Sequence, residues 1–110
     1  MRPTAKEFWD RRAAVYDADA GVFYQEAYEK TTACMRKYLK PTDTVLDFAC
    51  GTGIVTLSLS PDVKELRGID ISDEMIRRAQ GKAAAQDIAN VLLTQTDLFD
   101  AALAPASFDA

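Results

Sequence analysis

The run Val45-Leu46-Asp47-Phe48-Ala49-Cys50-Gly51-Thr52-Gly53 constrains this chain more than any other stretch. An apolar segment carries an acid, and two glycines follow at i and i+2. The pattern predicts a buried strand that turns sharply into a helix. Glycine has no Cβ, so the backbone can turn tightly and let a ligand come close. The open N–H groups of the following helix start then face that ligand. In open α/β sheets, ligands bind outside the carboxyl ends of the strands, where this turn falls. A Gly-x-Gly by itself also fits an ordinary strand–helix turn. Asp47 tips the balance, because a carboxylate placed just before a nest of backbone N–H groups needs a reason to be there.

At 110 residues the chain is one domain at most, and 48% apolar residues suffice for a core. The net charge of −4 argues against a non-specific nucleic-acid surface, so no nucleic-acid partner is expected. Cys34 and Cys50 are far apart and the chain has no histidine, which speaks against a zinc site. The start Met-Arg-Pro-Thr does not resemble a signal peptide, and the apolar stretches fall far short of a membrane span. These features predict a cytoplasmic protein with reduced thiols and no membrane partner.

Residues 5–17 place Phe8, Arg12 and Tyr16 on one helical face and Trp9 and Ala13 on another. A loop is expected at Ala18-Asp19-Ala20-Gly21. Trp9 reads as a packing residue, whereas Tyr16 fits packing and a lid over a ligand equally well. A second helix is expected over 22–39. Its stripe Tyr24, Ala27, Tyr28, Thr31, Met35, Tyr38, Leu39 reads as core-facing, and Pro41 stops it. Strands are expected at Thr44–Phe48, Glu65–Ile69 and Asn90–Gln95. A short helix should follow Gly53 and stop near Pro61. Another should follow the N-cap Ser72, with Asp73 and Glu74 at its positive end, and run to about Ala85. Ser107-Phe108-Asp109-Ala110 looks like the approach to a fourth strand.

Strands alternating with helices predict an α/β fold with a parallel sheet, which puts all strand ends on one edge. Three strands end beside an acid: Asp47, Asp70 and Asp97. Asp70 lies 17 residues past Gly53, near the distance at which an acid meets ribose hydroxyls in dinucleotide-type folds. The dinucleotide fingerprint wants a third glycine where Thr56 stands, and Asp47 would sit unfavourably near a pyrophosphate. No P-loop is present. A ligand with an amino group, a positive centre and a ribose suits these acids better. S-adenosyl-L-methionine (SAM) offers its α-ammonium to Asp47 and its ribose diol to Asp70. Its adenine edge is left for Asp97 or the Asp97-Leu98 backbone.

The run at 45–53 resembles motif I of the class I SAM-dependent methyltransferases. Gly-Ile-Asp-Ile-Ser at 68–72 with Met75, Thr-Asp-Leu at 96–98 and Ser-Phe-Asp at 107–109 are similar to the family's later motifs, in order and at its spacing. Phe-Trp-Asp and Tyr16-Asp17 resemble the N-terminal cap of its small-molecule members. The resemblance implies that Asp47, Gly51 and Gly53 hold the methionine end and that Asp70 takes the ribose hydroxyls. It further implies that Ile71 and Met75 flank the adenine, that Asp97 and Leu98 read its edge, and that Tyr16 closes over the cofactor. Ala49, a further cofactor-side position, stands where many members have glycine.

The resemblance also implies a Rossmann-like three-layer αβα domain whose full sheet runs 3-2-1-4-5-7-6. The chain supplies strands 3-2-1 and the start of strand 4. Residues 1–40 read as a helical cap and 41–110 as a SAM-binding half-domain, incomplete at its C-terminus. The expected function is methyl transfer from SAM to a small-molecule acceptor, with the acceptor-aligning residues lying elsewhere in a longer protein. An open edge on strand one would invite a second copy of the chain. Two rivals are a binding or interaction module without catalysis and a nicotinamide-dependent oxidoreductase.

Overall fold

The structure is a computed structural model that describes residues 4–96 and 108–109. Helix α1 (Ala5–Phe23) and helix α2 (Gln25–Arg36) precede strand β1 (Thr44–Phe48). Helix α3 (Ile54–Leu59) runs into a 3-10 turn over Ser60–Asp62. Strand β2 (Glu65–Asp70), helix α4 (Asp73–Ala85) and strand β3 (Val91–Gln95) follow. The sheet is parallel, with β2 between β1 and β3, so the spatial order is the expected 3-2-1.

Register decides which face is the core. Val45 stands beside Leu66 and Leu66 beside Val91, while Gly68 stands beside Leu93. Side chains alternate along a strand, so Val45, Leu66 and Leu93 share one face. Leu59 and Val63 pack on Val45 and Leu66, while Leu57, Ile76, Ala79 and Ala83 pack on Leu93. Helices α3 and α4 therefore cover this face, with α2 against α3 and α1 against α4. Of the three layers expected, the described residues supply two, helices and sheet. On the opposite face Leu46, Arg67 and Leu92 stand side by side, and Phe48 and Leu92 are more than half exposed. Arg67 lies 5.9 Å over the Phe108 ring on that side.

The approach to a fourth strand is visible at one point. The Asp109 N–H donates to the Thr44 carbonyl at 2.8 Å, and the Thr44 N–H donates to the Asp109 carboxylate at 2.8 Å. The start of the free β1 edge is thus taken by the chain itself. The edge expected to recruit a second copy is narrowed to the part beyond Thr44.

The helical cap departs from expectation in three ways. The loop expected at 18–21 is helical, and α1 continues to Phe23. Alanine is the strongest helix former and one glycine costs only about 1 kcal/mol. Arg12 and Asp17 also anchor this end, through Asp19 and through Lys82. The second helix starts at Gln25, because Tyr24 leaves the helical region at φ −129°. It ends at Arg36, well before Pro41, where Lys37 and Tyr38 turn their N–H groups back three residues in a tighter turn. Finally, the expected apolar stripe does not face the core along α2, although Leu39 beyond the helix packs against the cluster of Val45, Leu59, Val63 and Leu66. Thr32 is the buried residue of α2, whereas Tyr24, Met35 and Tyr38 are exposed, Tyr38 at 79%.

Candidate functional site

The turn after β1 is built from three left-handed residues. Ala49, Gly51 and Gly53 have φ of 59°, 60° and 82°. A Cβ on Gly51 would meet nothing within 4 Å, so its backbone angle and not crowding requires glycine there. A Cβ on Gly53 would lie 3.2 Å from the Ala79 Cβ, so this glycine also lets α3 approach α4. Ala49 holds the same type of angle with a side chain attached, which explains why glycine suits this position. The turn is stitched to the end of β2: the Cys50 N–H donates to the Ile69 carbonyl at 2.9 Å, and the Gly51 N–H donates to the Asp70 carboxylate at 2.9 Å. The other Asp70 oxygen accepts the Ser72 N–H at 2.9 Å.

Two adjoining cavities open at this edge of the sheet. One, of about 270 Å³, is lined by Asp47, Ala49, Cys50, Ile54 and Val55 together with Tyr16, Tyr28, Thr31 and Met35 from the cap. The other, of about 160 Å³, is lined by Gly51, Asp70, Ile71 and Met75 with Trp9, Tyr16 and Ala49. Tyr16 and Ala49 border both. Of the residues expected at the site, the structure brings together Tyr16, Asp47, Ala49, Gly51, Asp70, Ile71 and Met75. Gly53 lines neither cavity and faces Leu57, Lys82 and Gln86 instead. Asp97 and Leu98 lie outside the described residues. Trp9, expected to pack inside, is 40% exposed and forms a cavity wall, edge-on to Phe8 and Tyr16.

Charge distinguishes these cavities from a larger one. A cavity of about 330 Å³ lies between α2 and α3, bounded by Asp17, Gln25, Glu29, Arg36 and Ser58 among others. Its charged groups are already matched, Arg36 with Asp62 and the Ser58 carbonyl, Glu29 with Gln25, Asp17 with Lys82. Asp47 and Asp70, by contrast, form no ion pair among the described residues. Burial pushes the Asp47 carboxyl above its ordinary value; a hydrogen bond from the Thr56 hydroxyl opposes this, and the Asp70 charge adds to it. Such a site gains from a cation that neutralises it. The lining offers none: burial and the 2.9 Å bond to Tyr28 push the Tyr16 phenol up to about 12, so it stays neutral at pH 7. Burial likewise pushes the Cys50 thiol up to about 12, which makes it unreactive. No cluster of metal-ligating side chains occurs among the described residues.

Sequence reading missed how α1 is fastened over the site. The Ser72 hydroxyl accepts the Met75 N–H at 3.2 Å, as an N-cap should, and donates to Asp10. Asp10 also accepts the Glu74 N–H at 3.3 Å and pairs with Lys6 at 2.9 Å. One turn of α4 is thus capped partly from α1. Further along, Asp17 accepts from the Thr52 hydroxyl and pairs with Lys82 at 3.0 Å. These partners are 62 and 35 residues apart, so no local pattern signals them. Another missed residue is Thr56, which is fully buried and donates to Asp47.

The sequence of residues 45–110 matches the family described as "Methyltransferase domain". The chain is 35% identical over 95 residues to the ribosomal protein L11 methyltransferase of Haemophilus ducreyi, covering 82% of this chain and 32% of that protein. It matches the solved complex of DhpI with S-adenosylhomocysteine (SAH) at a TM-score of 0.70 and 31% identity, over 86% of this chain and 44% of the other. It matches the [4+2]-cyclase SpnF at a TM-score of 0.85 over 97% of this chain and 47% of the other; at 20% identity this likeness speaks to the fold alone. The chain thus spans about a third to two fifths of the length of the first curated relatives it matches. Other relatives are named for acceptors as different as demethylmenaquinone and a uracil of 23S rRNA. The fold, the glycine turn and the two unpaired acids at the strand ends all agree with this likeness: the chain belongs to the class I SAM-dependent methyltransferases.

Proposed function

We propose that the two cavities beneath α1 hold SAM, and that the protein to which they belong transfers its methyl group to a small molecule. The observation that carries the first part is the pair of unpaired carboxylates, Asp47 and Asp70, on the walls of adjoining cavities. SAM brings a positive ammonium and a positive sulfonium to cavities whose described lining holds no cation. The α-ammonium goes to Asp47, where burial has raised the cost of an uncompensated charge. The ribose hydroxyls go to Asp70, whose two backbone donors each occupy one lone pair of an oxygen and leave another available. Ile71 and Met75 offer apolar contact to the adenine, and Asp97 and Leu98 remain its expected edge partners. The left-handed turn at 49–53 brings backbone close to the ligand without side chains in the way, except at Ala49.

When bound, SAM supplies an electrophilic methyl group on a sulfonium. The residues of this chain contribute by fixing both ends of the donor and excluding water, so that the acceptor meets the methyl in line. The small-molecule reading is supported by the cap. Tyr16, Tyr28, Thr31 and Met35 stand over the Asp47 cavity, which favours an acceptor small enough to enter beneath them. The acidic balance points away from nucleic acid as a partner. Residues 1–40 then serve as the cap over the donor half-domain. For the nicotinamide rival, Thr56 fills the third glycine position with a buried side chain bonded to Asp47.

The test is calorimetric titration of the chain with SAH and with NADH. Micromolar binding of SAH with none of NADH is expected. A 2′-deoxyribose analogue of SAH should bind about tenfold more weakly, the loss of one charge-assisted hydrogen bond. Equal binding of the analogue would remove Asp70 from the ribose. Using a ligand variant matters here, because Asp70 also holds the Gly51 and Ser72 N–H groups and its replacement would disturb the turn.

A further inference from the structure

We infer that Thr56 is a positioning residue for the donor's amino-acid end, holding one oxygen of Asp47 so that the other is presented to the ligand's α-ammonium. The inference rests on the reading of Asp47 just given. Serine and threonine inside a helix commonly donate their hydroxyl to the carbonyl four residues back. Thr32 does so to the Tyr28 carbonyl and Ser58 to the Ile54 carbonyl, each at 2.8 Å. Thr56 lies in the first turn of the same helix as Ser58, where the residue four back, Thr52, precedes the helix, so its hydroxyl must find another partner. Its hydroxyl crosses to Oδ2 of Asp47 on β1. Thr56 is 0% exposed, so water cannot satisfy that hydroxyl and Asp47 is its partner.

The consequence is directional. Oδ2 is engaged from the core side, and Oδ1 has no hydrogen-bond partner among the described residues. A carboxylate free to rotate would present either oxygen; this one is held. The hydroxyl also favours the charged form of Asp47, against burial and the Asp70 charge. The titratable groups facing Asp47 are Asp70 from β2, Tyr16 from α1, Tyr28 from α2 and Cys50 from the turn. None is a cation, and among the described residues Thr56 is the donor that steadies it.

The experiment compares SAH with 5′-methylthioadenosine, which keeps the nucleoside and lacks the amino-acid end. Both are titrated into the wild-type chain and into Thr56→Val, Thr56→Ser and Thr56→Ala. The wild type should prefer SAH. Thr56→Val, nearly the same shape without the hydroxyl, should lose roughly tenfold in SAH affinity and keep its methylthioadenosine affinity within about twofold. Its SAH binding should also begin to fail at a higher pH on acidification. Thr56→Ser should retain the preference. Thr56→Ala reads the same ratio should the valine variant not fold. Equal losses for both ligands, or a full preference for SAH kept in the variants that lack the hydroxyl, would overturn the role of Thr56 alone. A wild type with no preference for SAH would overturn it together with the assignment of Asp47.

Discussion

Replacing Asp47 by asparagine should make the empty chain more stable and the ligand-binding chain worse. Burial raises the folded carboxyl above its unfolded value of 3.8, with Asp70 adding to the rise. A raised acid pKa means the folded state holds the proton more tightly than the unfolded chain does. Its contribution to stability is therefore most favourable when the carboxyl is protonated, and is lost as pH rises through the folded pKa. At pH 7 the wild type carries that penalty, and asparagine does not. Asparagine keeps an oxygen that can accept the Thr56 hydroxyl, so the contact survives. Asparagine still pays the desolvation of a neutral polar group, but a buried charge costs more than that, and with Asp47 partly exposed the difference is on the order of 1 kcal/mol. For a domain of this size that is roughly 4–8 °C in melting temperature at pH 7. The gain should shrink toward zero as the pH is lowered toward 4. The same change removes the counter-charge for an ammonium, which should cost about 1.5–3 kcal/mol of SAH binding, roughly ten- to a hundredfold. Thermal melts from pH 4 to 8 and calorimetric titrations check both. A variant that melts lower at pH 7, or that binds SAH as well as wild type, would refute the electrostatic reasoning.

Three further outcomes follow from the geometry. Ala49→Gly should raise the melting temperature by a few degrees: the left-handed angle at Ala49 costs about 1–2 kcal/mol, of which the greater freedom of glycine in the unfolded chain returns about 0.4–1; a lower melting temperature would count against strain there. Gly68→Ala should destabilise by about 1–3 kcal/mol in chemical denaturation, because its Cβ would fall 2.8 Å from the Leu93 Cδ2 and 3.0 Å from the Cys50 Sγ. Asp10→Ala should cost about 1 kcal/mol at pH 7 through lost bonds to Ser72 and Glu74. The Ser72 hydroxyl, then the Lys6 ammonium, hold the Asp10 carboxyl below its ordinary value of 3.8, so its contribution is complete above that value and disappears as pH falls through the folded pKa; an Asp10→Ala penalty that persists at low pH would contradict this.

The donor edge was the most legible part of the sequence. Strand boundaries followed from apolar runs closed by acids and glycines, and α4 from the Ser72 cap and its charged first turn. That the sheet is parallel followed from strand–helix alternation, and its order 3-2-1 from the family resemblance. The cap was less legible, for reasons that are physical. Residues 18–21 look like a loop locally, yet α1 continues through them and is fastened at Asp17 by Thr52 and Lys82, which are distant in sequence. The spacing of Tyr24, Thr31, Met35 and Tyr38 reveals a face but not its partner, and that face looks onto a cavity and solvent. Thr56 was noticed for the glycine it replaces; its bond to Asp47 depends on how β1 and α3 are placed, which no spacing rule contains.

The central claim is that Asp47 and Asp70 divide one ligand between them, ammonium and ribose. A crystal structure of the chain grown with SAH tests it most directly. The expected result places the amino group within hydrogen-bond distance of Asp47 and the ribose hydroxyls on Asp70, with Tyr16 against the ligand. SAH bound instead in the cavity between α2 and α3, or lying with its ribose away from Asp70, would contradict it.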